Sequence, residues 1–464
     1  MKSYPYLTLL LCLLCLSAQA QPDQALTRDI FKELIEINTT NSTGNTTRAA
    51  EAMAARLRAA GFPESNIFIG GPNETSGNLV ARMHGSGKRK PLLLLAHIDV
   101  VEALREDWTT DPFKFEEIDG FYYARGSRDD KAMAAIFVAN MIRMKREKFV
   151  PDRDIIVALT DDEEGGDFNG VSWLIANHKE LIDAQYALNE GGGGQEINGK
   201  KVLNSVQLSE KVFQSFKLEV KNRGGHSSQP RKDNAIYQLS RAIDNLAKYD
   251  FPVNLNDGTR AYFYRTSKIE SGQLAADMRS VITATPDPEA IKRLSEYPNY
   301  NAMLRTTCVA TMINGGHAEN ALPQTATATV NCRILPGEDP AKIKQMLVDV
   351  FADKEVTVTE IKPAKPSHPS PLDAEVFGPI EKLTKQMWNI PVVPTMSTGA
   401  TDGLYLRNAG IPTYGVSGLF ADITDVRAHG RDERIGVKSF YEGQEFLYQL
   451  VKALSEKPKI DRRK

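Results

Sequence analysis

Three short apolar runs in the first half of this chain each end in acid or imidazole, and that pattern limits the fold more than any other feature. Residues 92–96 read Leu-Leu-Leu-Leu-Ala and empty into His97 and Asp99. Residues 155–159 read Ile-Ile-Val-Ala-Leu and empty, after Thr160, into Asp161, Asp162, Glu163 and Glu164. Residues 184–188 lead to Asn189, Glu190 and four glycines. Runs of this length suit strands buried on both faces and are too short for helices. Between the first two runs, Met133, Ile136, Phe137, Met141 and Met144 recur at helical spacing. Strands alternating with helices predict an α/β fold, a mostly parallel sheet with helices on both faces. Sites in such sheets gather beyond the carboxyl ends of the strands.

A chain of 464 residues is too long for one simple core, so two domains are expected. A composition of 41% hydrophobic and 25% charged residues argues against disorder, and a net charge of −2 points to no nucleic acid or polybasic membrane partner. Residues 1–20 read as a signal peptide: Lys2, an apolar core over 7–16, and small residues up to Ala20 at a cleavage position. The expectation is export, to the periplasm or the medium, with no stable membrane anchor after cleavage. Cys308 and Cys332 remain in the mature chain, either paired or as buried thiols on neighbouring strands.

From about residue 213 the texture changes. Residues 216–221 alternate like a half-exposed strand, 234–249 read as a helix, and 306–313 and 326–334 as strands. A helix over 340–351 and a strand over 356–361 complete a β-α-β-β-α-β, ferredoxin-like order, interrupted by an unassigned stretch at 250–301. Pro363, Pro366, Pro369 and Pro371 mark the return to the first domain. The expected organisation is a catalytic domain over 21–212 and 366–464, with an inserted α+β domain over 213–365.

His97, Asp129, Glu164, Glu190 and His429 supply two imidazoles and three carboxylates. That set suits two zinc ions sharing one bridging carboxylate. Asp99, two residues from His97, leaves the strand on the same side and can orient the ring. Only one of the adjacent Glu163 and Glu164 fits as a ligand without crowding, which leaves Glu163 for general base and acid work. A solvated acidic helix start is the plainer reading of the acids at 161–164.

Five segments, in order, carry a resemblance to a known family: Ala96-His97-Ile98-Asp99, Gly126-Ser127-Arg128-Asp129-Asp130-Lys131, Asp162-Glu163-Glu164-Gly165, Asn189-Glu190-Gly191 and His429-Gly430-Arg431-Asp432-Glu433. The chain resembles the co-catalytic dizinc peptidases and amidohydrolases that include acetylornithine deacetylase, succinyl-diaminopimelate desuccinylase, aminoacylase, glutamate carboxypeptidase and carboxypeptidase S. The resemblance spans about residues 29–448. It implies a zinc-exopeptidase fold with an inserted lid and dimerisation domain, and two Zn2+ per subunit, with Co2+ or Mn2+ as substitutes. One zinc would be held by His97, Asp129 and Glu190 and the other by Asp129, Glu164 and His429, with Asp99 orienting His97 and Glu163 as general base. It further implies a homodimer in which His226, on its own a turn histidine, stabilises the oxyanion in the partner's site. Asn320, Arg333 and Gly399 match substrate-binding positions, and Arg333 suits a free carboxylate. Leu404 stands where several relatives carry arginine, which argues against a diacid specificity.

The function expected is zinc-dependent hydrolysis of the amide bond in small peptides with a free C-terminal carboxylate, of carboxypeptidase type. An aminoacylase-type hydrolase of N-acyl amino acids is the alternative, and a non-catalytic small-molecule binding protein is the alternative of another class. Glu163 beside Glu164 favours an enzyme, because a binding protein needs no second carboxylate there.

Overall fold

A computed structural model describes residues 23–456 of the chain, so the expected signal over 1–20 lies outside the described residues. Among the described residues no helix is long and apolar enough to cross a membrane. The chain forms two compact units. One runs to Val206 and resumes at Leu372–Val392 and from Ala409 on; the other comprises Gln207–Pro371 and Val393–Asn408.

The first unit is built on a large sheet. Its strand order begins Ile67–Gly70, Asn78–Met83, Ile155–Thr160, Leu92–His97, Tyr186–Asn189, Thr413–Gly415. The first two pairs in this order are antiparallel, while Ile155–Thr160, Leu92–His97, Tyr186–Asn189 and Thr413–Gly415 run parallel. Every residue of Leu92–His97 and of Ile155–Thr160 is buried, as the unbroken apolar runs require. Each leucine so placed contributes roughly 1.5–3 kcal/mol relative to exposure. Helix Lys131–Arg146 packs on the Leu92–His97 strand, and four alanines (Ala132, Ala134, Ala135, Ala139) let its backbone approach closely. Helix Val437–Ser455 packs against it, burying Phe440, Leu447 and Val451.

The second unit contains a four-stranded antiparallel sheet in the order Thr307–Gly315, Thr325–Ile334, Val212–Lys221, Val356–Glu360. With helices Ala235–Ala247 and Pro340–Phe351 this is the split ferredoxin-like topology. Phe216, Leu218 and Val220 alternate into the core against Leu239, Ile343 and Leu347. Cys308 and Cys332 lie directly opposite on neighbouring strands and form a disulfide. The stretch at 250–301 folds as four short helices starting at Asp257, Gly272, Pro288 and Pro298. They bury Phe263, Met278, Leu294 and Leu304 in a small core that Leu335 and Met396 complete.

Candidate active site

The parallel centre of the sheet sets three strand ends side by side. His97 is in register with Thr160, and Leu94 with both Val157 and Leu188. The side chains that follow those ends therefore emerge together at one edge of the first unit. Asp129 arrives from a different direction, just ahead of the helix Lys131–Arg146, and the Asp129–Asp130 peptide is cis. His429 comes from the loop between strands Phe420–Asp422 and Arg434–Gly436, with φ at +61°. A histidine in that left-handed region carries backbone strain, which marks a position fixed by its surroundings.

Asp129 lies at the centre of the group. Its Oδ1 is 2.9 Å from His97 Nε2 and its Oδ2 is 3.2 Å from His429 Nε2. One carboxylate thus presents an oxygen to each of two imidazoles, the geometry of a bridging ligand. His429 Nε2 is also 2.9 Å from Glu164 Oε1, a buried atom. His97, Asp129 and Glu164 can offer ligand atoms within 4.8 Å of one another, and so can His97, Glu163 and Glu190. The residues thus fit a cationic centre: two imidazoles and four carboxylates converge, the donor set a divalent cation takes. A cavity of about 270 Å³ opens beside Asp129 and Glu190, bordered by Gly191, Gly192, Ser205 and Ser417.

Asp99 does more than orient a ring. His97 Nδ1 lies 3.1 Å from the Asp99 carbonyl and 3.4 Å from its Oδ1. The same carboxylate accepts from Glu163 N at 3.2 Å and Glu164 N at 3.0 Å, fixing the turn that carries both glutamates. The acids at 161–164 do not begin a helix; the next one is Gly170–Asn177. Asp162 instead holds the turn, with φ at +63° and Oδ1 accepting from Asn41 Nδ2. Asp161 is buried, and that burial pushes its carboxyl up to about 7. Burial opposes charge on His97, but its hydrogen bonds to Asp129 and Asp99 outweigh that and raise it well above the ordinary value. Hydrogen bonds to Asp129 and Glu164 raise His429 to about 10.

One structural role was not read from the sequence. Glu433 is fully buried and accepts from Arg125 Nη1 at 2.6 Å, Arg128 N at 2.7 Å and Asp129 N at 3.2 Å. Arg125 Nη2 reaches the His429 carbonyl at 3.4 Å, and its guanidinium lies over the Trp108 ring. Glu433 and Arg125 thereby tie the backbone of Asp129 to the loop of His429. The Asp432-Glu433 pair in the fifth matched segment was the available signal. Asp432 anchors the same loop by accepting from Thr109 N and Oγ1.

The first unit brings together His97, Asp99, Asp129, Glu163, Glu164, Glu190 and His429. His226, Asn320, Arg333 and Gly399 belong to the second unit. There His226 sits on a two-residue strand, Gly225–His226, paired with Ala321–Leu322, and Ser227 N donates to the Asn320 carbonyl at 3.0 Å. His226 Nδ1 accepts from Ser228 N at 3.1 Å, which places the proton of the neutral ring on Nε2. Arg333 Nη1 donates to the Thr398 carbonyl at 3.4 Å, next to Gly399, whose N–H donates to Ser397 Oγ.

Residues 93–453 match the profile of peptidase family M20/M25/M40. The chain belongs to that family. The M20 chain is 28% identical over 379 residues to the human N-fatty-acyl-amino acid synthase/hydrolase PM20D1, covering 78% of this chain and 74% of the human protein. It is 29% identical over 375 residues to the probable carboxypeptidase S-like 2 of Dictyostelium discoideum, covering 78% and 71%. Its fold matches the M20 metallo-carboxypeptidase Sso-CP2 of Sulfolobus solfataricus with a TM-score of 0.66 at 18% identity, over 92% of this chain and 98% of that one. As an M20 protein it is a metal-dependent hydrolase of peptide or linear amide bonds, with the converging imidazoles and carboxylates as its candidate metal site.

Proposed function

We propose that this M20 protein is an exported hydrolase that binds two zinc ions and cleaves the amide bond preceding a terminal amino acid with a free α-carboxylate. The observation that carries this reading is Asp129, with one oxygen toward His97 and the other toward His429. In it, His97, Asp129 and Glu190 hold one ion, and Asp129, Glu164 and His429 the other. When bound, the ions supply a Lewis acid for the scissile carbonyl and lower the pKa of the attacking water. Glu163, held by Asp99 through its backbone, takes the proton from that water and hands it to the leaving nitrogen. Arg333 pairs with the substrate carboxylate, Asn320 and the Gly399 loop position that end of the substrate, and His226 donates from Nε2 to the oxyanion.

The inserted unit forms a homodimer in this reading. Support comes from the edge strand Thr307–Gly315, where Val309, Met312 and Ile313 are each about 60% exposed. Export rests on the composition of residues 1–20.

Carboxypeptidase action on small peptides is the first form of the reading. N-acyl amino acid hydrolysis is the second, supported by the likeness to the human N-fatty-acyl-amino acid synthase/hydrolase. Purified protein is to be assayed on dipeptides and N-acyl amino acids, with and without a chelator, with metal content measured in parallel. Chelator-sensitive turnover is expected, and Glu163→Gln lowers kcat by about 10²–10⁴ while keeping its metal. Full activity in that variant would remove Glu163 from the mechanism.

A further inference from the structure

We infer that the protein selects substrates whose terminal amino acid carries a large apolar side chain, received by a cavity in the second unit. This deepens the reading above and rests on it, since Arg333 is taken to hold the α-carboxylate. The cavity encloses about 460 Å³, and its hydrocarbon wall comes from Val212, Phe213, Ile361, Pro363, Ala400 and Leu404. It is ample for a phenylalanine or leucine side chain.

The polar groups along the wall are mostly engaged elsewhere. Glu210 is paired with Arg407, both nearly inaccessible to solvent. Lys211 Nζ donates to the Arg305 carbonyl at 2.8 Å and to Thr307 Oγ1 at 3.2 Å. Lys365 Nζ donates to the Tyr405 hydroxyl at 3.1 Å. What faces the space is therefore mainly apolar. Phe213 and Ile361 are half exposed, brought together where Ile361 N donates to the Ser215 carbonyl. Covering such surface is worth roughly 25 cal/mol per Å².

The anionic end of the ligand has its own feature. The Arg333 guanidinium lies 4.8 Å from the Phe213 ring centroid, and among the described residues no carboxylate pairs with it. Its one hydrogen bond, to Thr398, joins it to the segment that also brings Ala400 to the cavity wall. A cation at the border of an apolar hollow complements a carboxylate and an apolar arm on a single carbon, which is an α-amino acid. Lys362 and Lys365, both exposed, are the lining groups that would suit an acidic side chain instead.

The test uses the full-length, metal-loaded protein and matched N-acetyl and glycyl substrates ending in Phe, Leu, Ala or Glu. The expected kcat/KM for Phe and Leu exceeds that for Ala by at least tenfold and that for Glu by more, in line with what pocket-filling methylenes supply. Leu404→Arg lowers the Phe-to-Ala ratio at least tenfold, and so does Ile361→Glu at a half-exposed position where misfolding is not expected. Free L-phenylalanine is expected to bind at least tenfold tighter than L-alanine by calorimetry. Equal rates across the series, or a preference for Glu, overturn the inference while chelator-sensitive turnover of the alanyl substrate leaves the parent reading standing. No turnover of any member overturns both.

Discussion

Asp99 accepts hydrogen bonds from the backbone of Glu163 and Glu164 while its Oδ1 stands 3.4 Å from His97 Nδ1. A carboxylate that contacts both the proposed ligand ring and the turn bearing the proposed general base would link metal affinity to the chemistry. Asp99→Ala is expected to weaken zinc binding about 10–100-fold, measured by competition with a chromophoric chelator, and to lower kcat in metal-saturated enzyme as well. A variant that lost affinity alone would show that the turn holds without it. His429 gives a pH dependence whose sign follows from its partners. Asp129 and Glu164 raise its pKa to about 10 in the metal-free fold. Since this lies above the unfolded value near 6.5, the contribution of that pairing to stability is complete below about pH 6.5 and is lost as the pH climbs through about 10. A metal ion must displace the proton from His429, and from His97 likewise. Metal affinity therefore rises with pH by about one logarithmic unit per pH unit for each imidazole proton displaced. Calorimetry in buffers of differing ionisation enthalpy will detect those protons, and zinc binding that releases none would contradict the assignment.

At the scale of elements, the parallel strands were legible because burial on both faces forces an unbroken apolar run, which leaves no alternation to misread. The helices read over 234–249 and 340–351 form as Ala235–Ala247 and Pro340–Phe351, each closed at its start by a side chain, Asn234 or Asp339, that accepts from a first-turn N–H. The four helices within 250–301 were not legible. Each is only 7–10 residues long and buries just two to four side chains, too few to establish a period. The role of Glu433 was hidden for another reason: two of its partners are backbone N–H groups about 300 residues away, invisible to any pattern of side chains. The disulfide could be weighed from sequence but not decided, because pairing depends on register, and register puts Cys308 opposite Cys332. It closes a loop of 24 residues, so reduction is expected to remove about 3 kcal/mol from the stability of the second unit. Denaturant titration of that transition with and without reductant measures the loss, and coincident curves would show that the bond constrains nothing.

For the molecule as a whole, the proposed metal centre draws its ligands from the first unit, while His226, Asn320, Arg333 and Gly399 lie in the second. That division was readable only through the family resemblance, because isolated residues such as a turn histidine carry no periodic signal. It ties assembly to catalysis if, as proposed, His226 serves the partner's site. The edge strand Thr307–Gly315 leaves Val309, Met312 and Ile313 in water at the border of the four-stranded sheet. An apolar edge with free backbone groups favours pairing with a second copy, and a two-fold arrangement closes it against further growth. The break in register between Ala310 and Met312 twists this edge, which disfavours open-ended stacking. Light scattering of the mature protein at micromolar concentration is expected to give twice the chain mass. Met312→Lys combined with Ile313→Asp is expected to give a monomer that retains its zinc but loses about 10²-fold or more in kcat, as removal of an oxyanion donor does. A monomeric wild type, or a monomeric variant with full kcat, would show that each subunit works alone and that His226 serves no partner.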